Sequence, residues 1–421
     1  MKRITALFLA AVMIVLSAAS LTACGNKTSD FKVGVILVGD ATEGYTKAHI
    51  DGIQAAAKKL GLADSQIEWK YSVPETSDCA NAAEDLVDKG CKIVISNSYG
   101  HQNYMAEVAP KYPDVTFVAM TGDFAAISGI ANLCNAFTKV YESRYVSGVV
   151  AGLKLKELLD KGTVSKDATP NAYDADGNIK IGYVGAYPYA EVVSGYTAFF
   201  LGIRSVVSNV SMSVQYTKSW FNYEDEKTVA NALIDSGCVI IGQHADSTGA
   251  PTACEDAVKN GKVVFSVGYN VDMLQAAPTA ALTSATNNWE VYYEHAIKTV
   301  MDGKKLEQDW AQGYESNSVA ITALGKSAAE GTQAKVDEVV AAIKGGTLHV
   351  FDLKTFTVGG AAISSNIVDF SYMDFSGATP RVVYQGQQQE TVKNGYVEES
   401  VLRSAPYFSI RIDGITELNP N

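Results

Sequence analysis

From residue 31 onward the chain alternates short apolar runs with longer stretches whose apolar positions recur every three or four residues. The short runs predict strands buried on both faces and the longer stretches predict amphipathic helices, which is the pattern of parallel βα units. Strands are expected at 31–38, 67–71, 92–96 and 115–119, with helices at 44–60, 81–89 and 104–111. A long helix follows over 141–161. Residues 162–178, rich in Asp, Thr, Pro, Asn and Gly, read as a linker or hairpin rather than core. The alternation then restarts, with strands at 180–184, 211–216, 239–242 and 263–267 and helices at 190–207, 224–236 and 251–259. A strand at 281–284 and a helix at 289–301 read as a return to the first set, and 333–344 gives one further helix. From His349 the chain turns polar and strand-rich.

Two successive sets of parallel units imply an α/β protein of two doubly wound parallel-sheet lobes joined by a multi-crossing hinge. The expected bounds are 32–125 plus 275–308 for the first lobe and 178–270 plus 315–348 for the second. Crossings are expected near 122–135, 270–282 and 305–318, and 349–421 forms a β-rich C-terminal extension.

Ahead of the fold, Lys2 and Arg3 precede an apolar stretch from Ile4 to Leu16 that ends in Leu21-Thr22-Ala23-Cys24. This reads as a secretory signal peptide over 1–23. Its end is similar to the bacterial lipobox, which implies that Cys24 becomes the acylated first residue and that 24–31 serves as a tether. The protein is therefore expected outside the cytoplasm, held to the cell membrane by lipid.

Composition narrows the function. With 34 basic and 46 acidic residues the net charge is −12, and removal of the signal takes away Lys2 and Arg3 as well. An acidic surface without a basic run argues against nucleic acid. Cys79, Cys91, Cys134, Cys238 and Cys254 are odd in number and lack CxxC pairing, so they read mostly as buried thiols.

An enzyme needs converging nucleophiles, bases or metal ligands. Five histidines are scattered, and no HExxH, GxSxG or GxxxxGK[ST] pattern occurs. His244 and Asp246 stand two apart at a strand end, a poor spacing for one ion, so neither metal nor cofactor is expected. What stands out is a set of rings and hydrogen-bonding groups just after predicted strands, where open α/β sheets bind ligands. Asp40 and Tyr45 follow the first strand, and Asn97, Ser98 and Tyr99 the third. In the second set come Tyr187, then Trp220 and Phe221, then Gln243, Asp246 and Ser247, then Tyr269, Asn270 and Asp272. Asn287, Asn288 and Trp289 follow the returning strand. Aromatic faces with a few amides and carboxylates suit a planar heterocycle, because stacking supplies affinity and the polar groups supply discrimination.

Several stretches resemble the basic membrane protein family of ABC-transporter substrate-binding lipoproteins, which share a type I periplasmic-binding fold. They are Tyr141 to Gly152, Ile181 to Pro188, Trp220-Phe221-Asn222 with Ala232 to Gly237, Gln243 to Ser247, and Leu282-Thr283-Ser284 with Asn288-Trp289 and Tyr292-Tyr293. The resemblance implies a binding protein that is not an enzyme, a monomer that hands a purine-like ligand to ABC permease subunits. It places Tyr45 as the stacking ring of the first lobe and Phe221 as that of the second. Asn270 and Asp272 fall where nucleoside-binding relatives grip the ribose with carboxylates. The first of these acids is replaced by Asn270, and Asn287 stands near the place of a missing Lys. A purine base is therefore expected before a nucleoside. The alternative is a sensor that presents a heterocycle or sugar to a membrane signalling partner.

Overall fold

The computed structural model describes residues 30–374, 379 and 381–420. The signal segment and Cys24 lie outside them. Strands β1 (Lys32–Ile36), β2 (Ile67–Lys70), β3 (Cys91–Ser96), β4 (Thr116–Met120) and β5 (Leu133–Thr138) belong to the first lobe. Strands β6 (Ile179–Gly185), β7 (Val210–Tyr216), β8 (Ile240–Gln243), β9 (Phe265–Tyr269) and β10 (Ala281–Asn287) belong to the second. Later come β11 (Asp309–Gln312), β12 (Val319–Ile321) and, in the C-terminal segment, a strand labelled β13 (Ile415–Glu417). The first sheet runs β11-β5-β4-β3-β1-β2, all parallel. The second runs β12-β10-β9-β8-β6-β7-β13, and only β12 is antiparallel.

Helices sandwich each sheet, which explains why the strands are apolar on both faces. On the first sheet, α1 (Gly44–Lys59) and a later helix, α8, cover one face, and α2 (Ser77–Asp88) with α3 (Gln102–Val108) cover the other. On the second, α4 (Val140–Asp160) and α5 (Ala190–Arg204) oppose α6 (Tyr223–Asp235) and α7 (Gly249–Lys259). The last two are α8 (Trp289–Met301) and α9 (Thr332–Lys344). Helix α4 is buried nearly all round, and it meets α5 backbone to backbone. A Cβ at Gly148 would stand 2.1 Å from the Phe199 carbonyl oxygen, and one at Gly202 would stand 2.1 Å from that of Tyr145.

Two assignments change. Residues 133–135, at the end of the crossing expected over 122–135, belong to β5, whose Asn135 is held by backbone partners at Phe124, Ala125 and Ala119. Strand 281–287, expected in the first lobe, pairs with β9 in the second sheet, with Ala285 opposite Tyr269. The chain returns to the first lobe only after that strand, with α8, which packs on α1, and then β11 beside β5. The chain thus crosses between lobes at Lys139, at Asn288 and through 313–318, not near 122–135 or 270–282.

The three crossings are bonded together. Lys139 N donates to Gln312 O at 2.8 Å, Asn288 N to Ser318 O at 2.8 Å, and the Thr138 hydroxyl to Asn287 Oδ1. Glu142, buried at the start of α4, accepts from Tyr314 N at 2.8 Å. Burial is the main reason its pKa rises to about 7. The native state then holds a proton that the unfolded chain releases, so this group's contribution to stability is complete below the ordinary Glu range and is lost as pH rises through 7. Glu142→Gln keeps an acceptor for Tyr314. It is expected to be more stable than the parent at pH 8 by on the order of 2 kcal/mol, with the gap closing toward pH 5. Urea titrations of both proteins across that range check this, and a gap that does not depend on pH would refute it.

The C-terminal segment visits both lobes. Tyr372 and Tyr384 pack on Phe124, Arg403 pairs with Asp123 at 3.5 Å, and Ser404 N donates to Asp309 Oδ2 at 2.9 Å, all in the first lobe. On the second lobe Phe408 stacks on Phe351 within the apolar cluster of α4 and α5, and β13 adds to the edge of β7. The five cysteines named above are buried and unpaired. Among the described residues no helix is long and apolar enough to cross a membrane.

Candidate functional site

The C-terminal ends of both sheets face each other, and the lobes are in contact there. A Cβ at Gly44 would come within 3.0 Å of the Asp246 carbonyl oxygen and 3.3 Å of the Val271 side chain. Glycine at the first position of α1 is what permits this approach.

From the first lobe comes Tyr45, half-buried, with its hydroxyl on the Asn97 carbonyl. Asn97 is fixed in turn by Val38 N at 2.8 Å and by Thr46. Behind Tyr45 stands His49, edge-on at 4.4 Å between ring centroids, and Trp289 stacks on His49 at 4.5 Å. Burial drops the His49 pKa to about 3, so this imidazole is neutral. Trp289, expected to touch the ligand, is 1% exposed and lies in the first-lobe core, where it backs the tyrosine.

The second lobe supplies a line of rings and a polar chain. Tyr187 stacks on Tyr189 at 5.2 Å and meets Trp220 at 5.3 Å, Trp220 meets His244 at 6.2 Å, and His244 meets Tyr269 at 5.0 Å. Asn222 caps α6 by accepting from Asp225 N at 3.1 Å, which ends the loop that carries Trp220 and Phe221. Glu226 accepts from both Asn222 N and Ser247 N at 3.1 Å, so one buried carboxylate ties that loop to the loop after β8. Gln243 closes the latter loop by donating to Ala245 O and Ser247 O.

Asp246 starts the polar chain. Its Oδ1 accepts from Asn270 at 2.6 Å, Asn270 Oδ1 accepts from Asn287 at 3.2 Å, and Asn287 accepts from Thr138 at the first crossing. The chain therefore runs from the face between the lobes to the hinge. Asn270 adopts a left-handed φ of 61°, a conformation that asparagine tolerates better than most residues. Burial, followed by the charge of Glu43 from the opposite lobe, pushes the Asp246 pKa well above the carboxylate range. Its second oxygen carries no hydrogen bond among the described residues.

Other expected residues lie elsewhere. Asp40 and Asp272 are exposed and cap local turns through Thr42 and Leu274. Ser98 bonds Glu75, and Tyr99 bonds Asp123, which the C-terminal Arg403 also reaches. Asn288 belongs to the hinge. Phe221 is 41% exposed and makes no ring contact among the described residues. Arg144, which donates to the Gln243 carbonyl at 2.5 Å and lies over the Tyr269 ring, went unread in the sequence together with Glu191 and His49, because each sits on a helix and not after a strand. Glu191 bonds His244 Nε2 at 3.2 Å. No three His, Cys, Asp or Glu side chains converge as metal ligands among the described residues.

Residues 31–354 match the family described as ABC transporter substrate-binding protein, PnrA-like. A purine-binding protein of Brucella abortus is 30% identical over 323 residues, covering 76% of this chain and 83% of that protein. A putative ABC transporter glucose-binding protein of Haloferax volcanii is 26% identical over 337 residues, covering 79% and 75%. Among solved structures, a solute-binding protein of an ABC transporter system from Aeropyrum pernix aligns with a TM-score of 0.60 at 15% identity, covering 76% of this chain and 93% of that one.

Proposed function

The chain belongs to the PnrA-like family of ABC-transporter substrate-binding proteins, and from that premise we propose that it is a lipid-anchored receptor that closes on a purine base or nucleoside and delivers it to a permease. As a substrate-binding protein it is not an enzyme, and it works outside the cytoplasm. The anchor rests on Leu21-Thr22-Ala23-Cys24.

The observation that carries the purine is the combination at the lobe interface. An available ring on the second lobe, Phe221, and a braced ring on the first, Tyr45, accompany the amide and carboxylate chain of Asp246, Asn270 and Asn287. Rings stack on a flat base, and the polar chain meets its ring nitrogens and exocyclic groups. The purine-binding relative supports the same ligand class.

Calorimetry with adenine, guanine, hypoxanthine, adenosine and inosine tests the reading, and silence toward all five would remove it. Phe221→Ala is expected to weaken purine binding at least about tenfold, the scale of one good stacking contact with its buried area. Its unfolding midpoint should stay within error, because the ring is exposed. An equal loss of stability would make Phe221 structural.

A second reading, a sugar, is favoured by the glucose-binding relative and by the same carboxylate and amides, which also suit hydroxyl groups. Glucose belongs in the panel, and glucose binding without any purine would move the assignment to it.

A further inference from the structure

The chain beyond residue 354 lies outside the stretch that matches the family, and together with the first lobe it encloses a cavity of about 260 Å³. That is just below the roughly 300–1,000 Å³ of pockets for drug-sized ligands, so the space suits one small molecule. Its lining shares no residue with the cleft between the lobes. On the first-lobe side stand the one-turn helix Ala125–Ser128 and Asp309 at the start of β11, and on the other side stand Phe370 and the glutamines 385, 387 and 389.

The second wall is specified by its sequence, Gln385-Gly386-Gln387-Gln388-Gln389. Alternate positions bring three amides to the cavity, as the two-residue period of extended chain allows. Gly386 between them leaves no room for a side chain, since a Cβ would stand 2.2 Å from the Phe370 carbonyl carbon and 2.3 Å from its oxygen. Glycine therefore lets the strand close on Phe370. The approach is locked by Gly386 N donating to Ser371 Oγ at 3.1 Å and Phe370 N donating to Gln387 O at 3.2 Å.

The polar groups of this wall are not used up by the fold. The side chains of Gln387 and Gln389 make no hydrogen bond among the described residues. Asp309 accepts from Ser404 N through Oδ2, while its Oδ1 is buried without a hydrogen-bond partner. The other carboxylate of the cavity, Asp123, is taken up by Gln102 and Tyr99, each at 3.2 Å, and by Arg403 at 3.5 Å. Native proteins pair nearly all their buried polar atoms, so an unpaired oxygen at a cavity wall points to a partner inside it.

The donor set selects the chemistry. A cation would satisfy Asp309 but leave the amide N–H groups without acceptors, and an anion would meet a carboxylate. A neutral molecule with several hydroxyls offers a donor and an acceptor at every group, which matches amides that carry both. Burial raises the Asp309 pKa, and hydroxyls suit that carboxyl in either protonation state.

We propose that this cavity is a second binding site, built by the C-terminal extension, for a neutral polyhydroxy molecule the size of one sugar ring, held by the amides of Gln385, Gln387 and Gln389 and by Asp309. A free monosaccharide and the end unit of a glycan share this chemistry.

The test uses the full chain. Saturation-transfer NMR and calorimetry are run with glucose, galactose, ribose and myo-inositol at millimolar concentration, and capture on beads carrying maltotriose or chitotriose is run beside them. At least one probe is expected to bind, and the Gln387→Ala/Gln389→Ala double variant should weaken it at least about tenfold, the scale of two lost hydrogen bonds. That variant should melt like the parent, because neither side chain is bonded within the fold, and its response to purines should equal the parent's. Capture on beads without binding of free rings assigns the site to a glycan end. Silence toward every probe would leave the cavity to water and overturn the site, and so would sugar binding that the double variant does not change, which would place the sugar in the cleft. Whether purines bind is decided separately, since no purine contact involves these glutamines.

Discussion

Gly202→Val is expected to lower the free energy of unfolding by more than about 3 kcal/mol, the upper range for overpacking against backbone. The reason is the contact between α4 and α5, where a Cβ at 202 would stand 2.1 Å from the Tyr145 carbonyl oxygen and 3.0 Å from Gly148 Cα. A flexible neighbour would yield, but a helix backbone does not. The helices must move apart, and α4 carries Arg144 one turn before Gly148. Ligand binding is therefore expected to fall with stability. Urea unfolding followed by circular dichroism, with calorimetry on the folded fraction, checks both, and a loss under 1 kcal/mol would mean that the two helices do not meet as described.

Trp289→Ala is expected to cost about 3–5 kcal/mol, as for a large buried aromatic. It stacks on His49, contacts Phe137 edge-on and sits among Tyr292 and Tyr293 in the first-lobe cluster. Because His49 backs Tyr45, binding should weaken as well, in contrast to Phe221→Ala, which separates binding from stability. A Trp289→Ala protein that melts like the parent yet fails to bind would return Trp289 to the ligand wall.

Much of the fold was legible because parallel strands flanked by helices are apolar on both faces. Val33 to Leu37 and Ile93 to Ile95 are continuous apolar runs for that reason. Strand β5 was missed because Asn135 and Thr138 interrupt it, and both are buried with their polar atoms satisfied, a pattern that hydropathy reads as loop. Strand β10 was found but set in the wrong lobe, since alternation announces a strand and not its partner. The extension was opaque for another reason. It is held by side chains gripping backbone, such as Glu399 on Tyr407 N and Phe408 N and Asp413 on Gly359 N and Gly360 N, and such bonds leave no periodicity. Looking after strand ends picked out Tyr45, Gln243, Asp246, Tyr269 and Asn270, which the fold sets at the C-terminal ends of the two sheets. Arg144 and Glu191 sit within helical patterns, where a charged residue ordinarily marks the solvent side.

The tail sets a leash on any swing of the lobes. Ala405 is seated in the first-lobe cluster and Phe408 in that of the second, so only Pro406 and Tyr407 span the gap. The three steps from Ala405 to Phe408 reach about 10 Å when fully drawn out. A wider gape along this flank has to pull Ser404 away from Asp309 or draw Phe408 from beneath Phe351, and the ease of either release governs how far the jaws part before a guest can enter or leave.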